Sequence, residues 1–279
     1  MHLHALLPPD HGVRGGAPGL VGVLGGRLCK LGSRCRTNRE GGPSALAAAI
    51  IGKTPPITAS TSSRTGDRRS SSRSRTARAR MPTIGAASVT LPGRRWGNRI
   101  PIFQGIRPNR DQLKALGAAM AATGAVALFH VEKITPPETR VFSFDTGDLD
   151  RVTVTEAEVE ALFTETEVEA VAVGCPHCSA DELRELAELL RGGKTTTKPF
   201  YVFAAKGVAA ANPPDLVSVI ERSGARVIPD TCMVVSPPRM DEFGSIMVDS
   251  GKALAYVPGM CGALARIGTR RECVEVATS

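Results

Sequence analysis

The stretch VEAVAVGCPHCSADELRELAELL, residues 168–190, decides the fold. Its first six residues, Val168–Val173, read as a short strand, and Gly174 and Cys175 follow directly. Ser179 and Glu182 then stand three apart, the spacing of a helix N-cap and its capping-box partner, so DELRELAELL reads as a helix that stops at Gly192–Gly193. The same alternation continues on both sides. Upstream, Asp111–Thr123 has a helical pattern with Gly124 as its stop, Ala125–His130 reads as a short buried strand, and Thr155 with Glu158 opens a helix over Thr155–Phe163. Downstream, Phe200–Ala204 is a strand, Pro213–Ser223 a helix closed by Gly224, and Ala225–Ile228 a strand that runs into Pro229, Asp230, Thr231 and Cys232. Strands alternating with helices give an α/β fold with a parallel-rich sheet and flanking helices. Residues 100–279 are expected to form this unit, and 1–99 a separate low-complexity region.

The residues with chemistry fall at the ends of these strands. His130, Cys175 and Cys232 each follow an expected strand, at the edge where open parallel sheets bind ligands. Cys175-Pro176-His177-Cys178 sits between a strand and a helix, which also suits a thiol–disulfide pair whose thiolate faces a helix N-terminus. A zinc site would want a second ligand pair of similar spacing, and Cys232, Cys261 and Cys273 stand singly. Thiolates from Cys175 and Cys232, with a third from elsewhere, also suit an iron–sulfur cluster with an open iron position. Buried structural thiols remain the plain alternative. Lys252, after Ser250-Gly251, could hold a carboxylate or phosphate as a point charge, or lie solvated on the surface. The loop Thr37–Gly42 joins an amide, a guanidinium and two glycines ahead of a helix that begins near Pro43-Ser44, a place where backbone amides can cradle an anion.

Composition narrows the classes. The chain has 279 residues and a net charge of +8, but the basic excess lies in residues 1–110, where Asp10, Glu40 and Asp67 are the only acids. The remainder is net acidic. Ile57–Arg80 is mostly Ser, Thr and Arg, and no glutamate occurs between Glu40 and Glu132. Such a segment buries too little apolar area to offset its ordering entropy, so the N-terminal third is expected to be largely disordered. A basic stretch could serve nucleic acid, but its origin here reads otherwise, as set out below. No apolar run reaches the length of a membrane span, and the start has no secretory pattern. Seven cysteines then read as thiols or metal ligands in a reducing cytoplasm.

Five segments together, RTNREGGPSALAAAI (36–50), GAVALFHVEKITPPE (124–138), VGCPHCS (173–179), ERSGARVIPDTCMVVSP (221–237) and DSGKALAYVPG (249–259), resemble the aconitase X family. The resemblance covers 36–54 and about 97–277. It implies an aconitase-like large-subunit fragment that acts as a hydro-lyase, a dehydratase of a small hydroxy acid such as cis-3-hydroxy-L-proline, or alternatively of mevalonate 5-phosphate. It further implies an iron–sulfur cluster of the 2Fe–2S or 4Fe–4S type, with Cys175 and Cys232 as metal ligands. Asn38, Arg39, His130, Thr135 and Lys252 would line the substrate site, and a small swivelling subunit or domain would supply a catalytic serine. Asp249 stands where the family usually has Asn. The family's CTCTPY-type segment before the TNREGG loop and its GLHLDENR-type segment after it do not appear in this register.

The genetic code accounts for both gaps. Met1–Leu7 shifted by one base permits Cys-Thr-Cys-Thr-Pro-Tyr-Tyr, and residues 57–68 shifted by two bases permit His-Gly-Leu-His-Leu-Val-Glu-Asn-Arg-Arg-Pro. Residues 1–35 and 56–96 are therefore read as out of frame, and the basic patch as GC-rich DNA in the wrong register, not a nucleic-acid surface. A chain order never selected for packing does not fold stably. Limited proteolysis is expected to leave a resistant core that begins near residue 97, and stable protection of Ile57–Arg80 overturns the frame account.

Overall fold

The computed structural model describes residues 42–53, 76–80, 100–126, 129–134, 150–164, 167–211, 214–235 and 240–279. They divide into two compact units, one ending at Glu156 and one beginning at Ala157. The division falls inside the segment 100–279 expected to form one unit.

The first unit holds helix α1 (Gly42–Ile51), strands β1 (Thr76–Arg80) and β2 (Ile100–Gln104), helix α2 (Arg110–Gly124), and strands β3 (His130–Val131) and β4 (Asp150–Thr153). The four strands form a parallel sheet in the order β3-β2-β1-β4. Helix α2 starts where Asn109 accepts from the Gln112 amide while the Gln112 side chain accepts from the Asn109 amide. Its end differs from expectation. Ala125 rather than Gly124 takes the left-handed conformation, with φ 49°, and the Val126 amide turns back to the Met120 carbonyl at 3.2 Å. Residues occupied in closing a helix cannot also extend a strand. The strand expected over Ala125–His130 is therefore only His130–Val131 among the described residues, and His130 opens it instead of following it. Phe103 and Phe129 meet edge to face, 5.8 Å between centroids, in the core of this unit. Strand β1 lies between β2 and β4, inside the segment expected to lack a fold. Thr76–Arg80 departs from that expectation.

Helix α3 (Glu156–Glu160) bridges to the second unit, which runs β5 (Ala170–Cys178), α4 (Ala180–Leu190), β6 (Phe200–Ala204), α5 (Lys206–Ala211), α6 (Pro214–Arg222), β7 (Arg226–Pro229), β8 (Ser245–Val248), α7 (Gly251–Cys261), β9 (Leu264–Ile267) and α8 (Arg270–Thr278). Its five strands are parallel in the order β7-β6-β5-β8-β9. The chain moves outward from β5 in one direction, then returns to β5's other side for β8 and β9. This is a doubly wound sheet with its switch point between β5 and β8.

Alternate side chains of the strands point to opposite faces and build two cores. On one face Val171, Val173, Phe200 and Val202 pack against Leu183, Leu186 and Leu190 of α4, Leu216 and Ile220 of α6, and Cys273 and Val274 of α8. On the other, Ala172, Tyr201, Phe203, Ile246 and Val248 pack against Ala253, Val257 and Cys261 of α7. Helix α4 begins at the expected capping box, with the Glu182 amide donating to Ser179 Oγ and the Ser179 amide to Glu182 Oε2. Gly224 closes α6 at φ +95°, where a Cβ would press on Thr196.

Leu186 is fully buried between α4 and the sheet. Leu186→Ala is expected to cost about 2–5 kcal/mol through lost burial and a cavity, and Ser179→Ala about 1 kcal/mol through the lost cap. Urea unfolding of the two variants, followed by circular dichroism, measures both.

Candidate active site

The ladder between β5 and β6 is regular up to Val173, which faces Val202; the next pairing is Cys178 with Ala204. Four residues, Gly174–His177, thus stand against Phe203 alone and are pushed out of the sheet as a bulge, a device that re-aims side chains beside active sites. Gly174 makes the bulge possible. Its φ is +97°, and a Cβ there would run into the Phe203 carbonyl oxygen. Cys175 and Pro176 are joined by a cis peptide bond.

The bulge meets the ends of the neighbouring strands at the switch point. The Gly174 amide donates to Asp249 Oδ1 at 3.3 Å, and the Ser250 hydroxyl donates to the Cys175 carbonyl while capping α7 through the Ala253 amide. On the other side His177 Nε2 lies 2.6 Å from the Thr231 carbonyl. That hydrogen bond ties the bulge to the turn after β7, which holds Cys232. The turn is set by Asp230, left-handed at φ 53°, whose carboxylate accepts the first amide of α5 at 2.8 Å.

Cys232 and Lys252 each lie within electrostatic reach of Cys175. Burial pushes the Cys175 thiol up to about 12, against the pull of Lys252, and Cys232, Asp249 and Cys261 add to the rise. Cys261 is raised as well, by burial first and then by Asp241 and Cys232. The Lys252 ammonium sits 5.9 Å from the centroid of the Tyr256 ring, one turn along α7. A buried thiol of this kind ionises readily only beside a cation, and an iron ion is such a cation. Two sulfurs therefore suit two cluster ligands. Among the described residues no group of three or more His, Cys, Asp or Glu is placed to hold a metal ion.

The CxxC alternative is corrected by the bulge. Cys175 packs in the core facing α7, and Cys178 in the core facing α4, α6 and α8. Thiols on opposite faces of a sheet do not form an exchanging pair, and no disulfide joins them. Sequence spacing suggested the pair because it assumed a turn after the strand, where the strand in fact resumes.

Among the other expected residues, His130 is buried in the first unit, and Asn38, Arg39 and Thr135 lie outside the described residues. A cavity of about 340 Å³ opens at the C-terminal ends of β2 and β3, lined by Gly105, Ile106, Arg107, Glu132, Lys133 and Ile134. Gln104 Nε2 holds Glu132 there at 2.9 Å. Asp249, Ser250, His177 and Cys261 were not foreseen as parts of the site. Ser250, a good capping residue before a helix, had a signal in the sequence; Cys261 had none. No helix among the described residues is long and apolar enough to cross a membrane.

The chain matches two domain models of one family, the aconitase X second domain over residues 67–164 and the aconitase X third domain over 168–279. The first match reaches back into the segment read as out of frame. The chain is 42% identical over 258 residues to the phosphomevalonate dehydratase large subunit of Methanosarcina mazei, covering 87% of this chain and 60% of that protein. For the protein of that name from Methanothermobacter thermautotrophicus the identity is 40% over 237 residues, covering 81% and 57%. The cis-3-hydroxy-L-proline dehydratase of Pseudomonas aeruginosa is 31% identical over 212 residues, 70% of this chain and 36% of that one. The chain thus spans about 60% of the phosphomevalonate dehydratase large subunits. The holo-form crystal structure of Thermococcus kodakaraensis aconitase X superposes with a TM-score of 0.74 at 31% identity, covering 92% of this chain and 69% of that one. The bulged, doubly wound unit and the sheet before it therefore have the fold of a known enzyme group, and the chain belongs to the aconitase X family.

Proposed function

We propose that the chain is the large-subunit portion of an iron–sulfur dehydratase, that its substrate is mevalonate 5-phosphate, and that a small subunit completes the site in the cytoplasm. What supports this reading is the bulge at the switch point of a doubly wound sheet, with Cys175 in electrostatic reach of Cys232 and Lys252, in a chain 42% identical to a phosphomevalonate dehydratase large subunit. cis-3-Hydroxy-L-proline, the first substrate suggested by the sequence, ranks second because its dehydratases match at 31–33% identity.

Cys175 and Cys232 would hold the cluster, with a third thiolate from the Cys-Thr-Cys-Thr-Pro-Tyr segment that the first seven codons permit one base out of register. Bound there, the cluster supplies an iron with an open position, a Lewis acid for the leaving hydroxyl. Lys252 sets a fixed positive charge beside Cys175 for the substrate carboxylate, and the Tyr256 ring keeps its ammonium in place. Cys175 shares its apolar core with Phe203, Met233 and Val257, and dry surroundings strengthen each charged contact. Ser250 fixes the Cys175 carbonyl, and so the direction of its side chain. Asn38, Arg39, His130 and Thr135 are assigned to the substrate, and removal of the proton to the small subunit. The frame reading rests on 1–35 and on the stretch just after Pro56. With the third thiolate out of register, the chain is inactive.

After anaerobic reconstitution of the frame-corrected protein, iron–sulfur absorption is expected to vanish in Cys175→Ala and in Cys232→Ala and to survive in Cys178→Ala, whose sulfur lies across the sheet. Loss in Cys178→Ala with retention in Cys232→Ala reverses the ligand assignment.

Both forms, each with a small-subunit partner, are to be assayed on mevalonate 5-phosphate and on cis-3-hydroxy-L-proline. The corrected form is expected to turn over the phosphorylated acid, with KM raised about tenfold or more in Lys252→Ala, because a charged hydrogen bond contributes roughly 1.5–3 kcal/mol. Turnover by the unmodified chain refutes its inactivity, and turnover of the hydroxyproline alone refutes the substrate.

A further inference from the structure

Arg270 opens α8, far in sequence from the bulge, yet its guanidinium reaches three carboxylates. Nε donates to Glu185 Oε2 at 2.7 Å, and one terminal nitrogen reaches Glu182 Oε1 at 3.1 Å and Asp249 Oδ2 at 3.4 Å. Burial opposes its charge, but Asp249, Glu182 and Glu185 outweigh that and hold the guanidinium protonated.

Two of these carboxylates have a second task. Asp249 uses its other oxygen, Oδ1, to accept the Gly174 amide, at the first residue of the bulge. Glu182 uses its other oxygen, Oε2, to accept the Ser179 amide at 2.8 Å, immediately after Cys178. The bulge is thus gripped at its two ends by two carboxylates, and both carboxylates are ion-paired to one guanidinium. Asp249 and Glu182 are largely buried, with side chains 7% and 9% exposed. Without a shared cation, two buried carboxylates this close to one nitrogen repel, and either can swing away from its amide. Arginine suits the task because its rigid fork reaches several acceptors in a fixed geometry; an ammonium does not.

We propose that Arg270 is the positioning residue of the site: through Asp249 and Glu182 it clamps the Gly174–His177 bulge from both sides and so fixes where Cys175 stands beside Cys232 and Lys252. The clamp belongs to the polypeptide alone and works whatever the bulge binds.

Amide hydrogen exchange on the unmodified chain, without iron, tests it independently of the dehydratase reading. In Arg270→Gln the Gly174 and Ser179 amides are expected to exchange about tenfold faster, while the Val171 amide, bonded to the Pro199 carbonyl at 2.9 Å in the same strand, keeps its rate. A merely structural role would speed all three together, because the unit would open as a whole; that result, or unchanged Gly174 and Ser179, overturns the proposal. Arg270→Lys is expected to restore part of the protection. Should Arg270→Gln fail to fold, Asp249→Asn loosens one end only: Gly174 is expected to exchange faster while Ser179 stays protected, and equal change at both ends overturns the clamp.

Discussion

Strand β5 leaves its ladder after Val173, and only glycine at 174 lets it do so, because the backbone there passes so near the Phe203 carbonyl that no side chain fits. Four residues stand out of register before pairing resumes at Cys178, and the placement of Cys175 depends on it. A strand that continued normally would send residues 174–177 alternately to the two faces, into packed cores. The bulge instead turns Cys175 toward α7 and the turn after β7, and points His177 at the Thr231 carbonyl. The glycine here is a steric necessity, and the sulfur's position is its consequence.

The surrounding sheet supplies the rest. Because the order is β7-β6-β5-β8-β9, the loops after β5 and β8 diverge to opposite sides and leave a crevice between them. The first residues after β8, Asp249 and Ser250, therefore lie beside Gly174 and Cys175 despite a separation of 75 positions. The first unit repeats the scheme on a smaller scale, β3-β2-β1-β4, again with strands parallel and with a cavity at the C-terminal ends of two of them. Two units wound alike suit a family whose models divide the chain near the same point, between 164 and 168.

Charge placement at the bulge has a cost that its surroundings offset. Asp249 raises the Cys175 thiol, as do Cys232 and Cys261, and only Lys252 works in the other direction. A carboxylate beside a buried thiol makes that thiol harder to ionise. Its pairing with Arg270 and its bond to the Gly174 amide give the reason for its presence: it holds the backbone on which the thiol stands.

The sequence by itself determined the α/β class, the parallel sheet and the helix boundaries marked by local chemistry. Ser179 with Glu182, and Gly224 after Ser223, act within a few residues, so their signals survive without tertiary context. Cys175, Cys232 and Lys252 were singled out through motifs. Short strands were not: Ser245–Val248 and Leu264–Ile267 are four residues each, and their strand character comes from the ladder they join. Nor could the sequence tell that Cys175 and Cys178 face opposite cores, since that depends on a register shift against β6. Only the tertiary structure placed Arg270 on Asp249 and Glu182, because a guanidinium chooses its partners by position in space, and the packing of α8 on α4 decides that position.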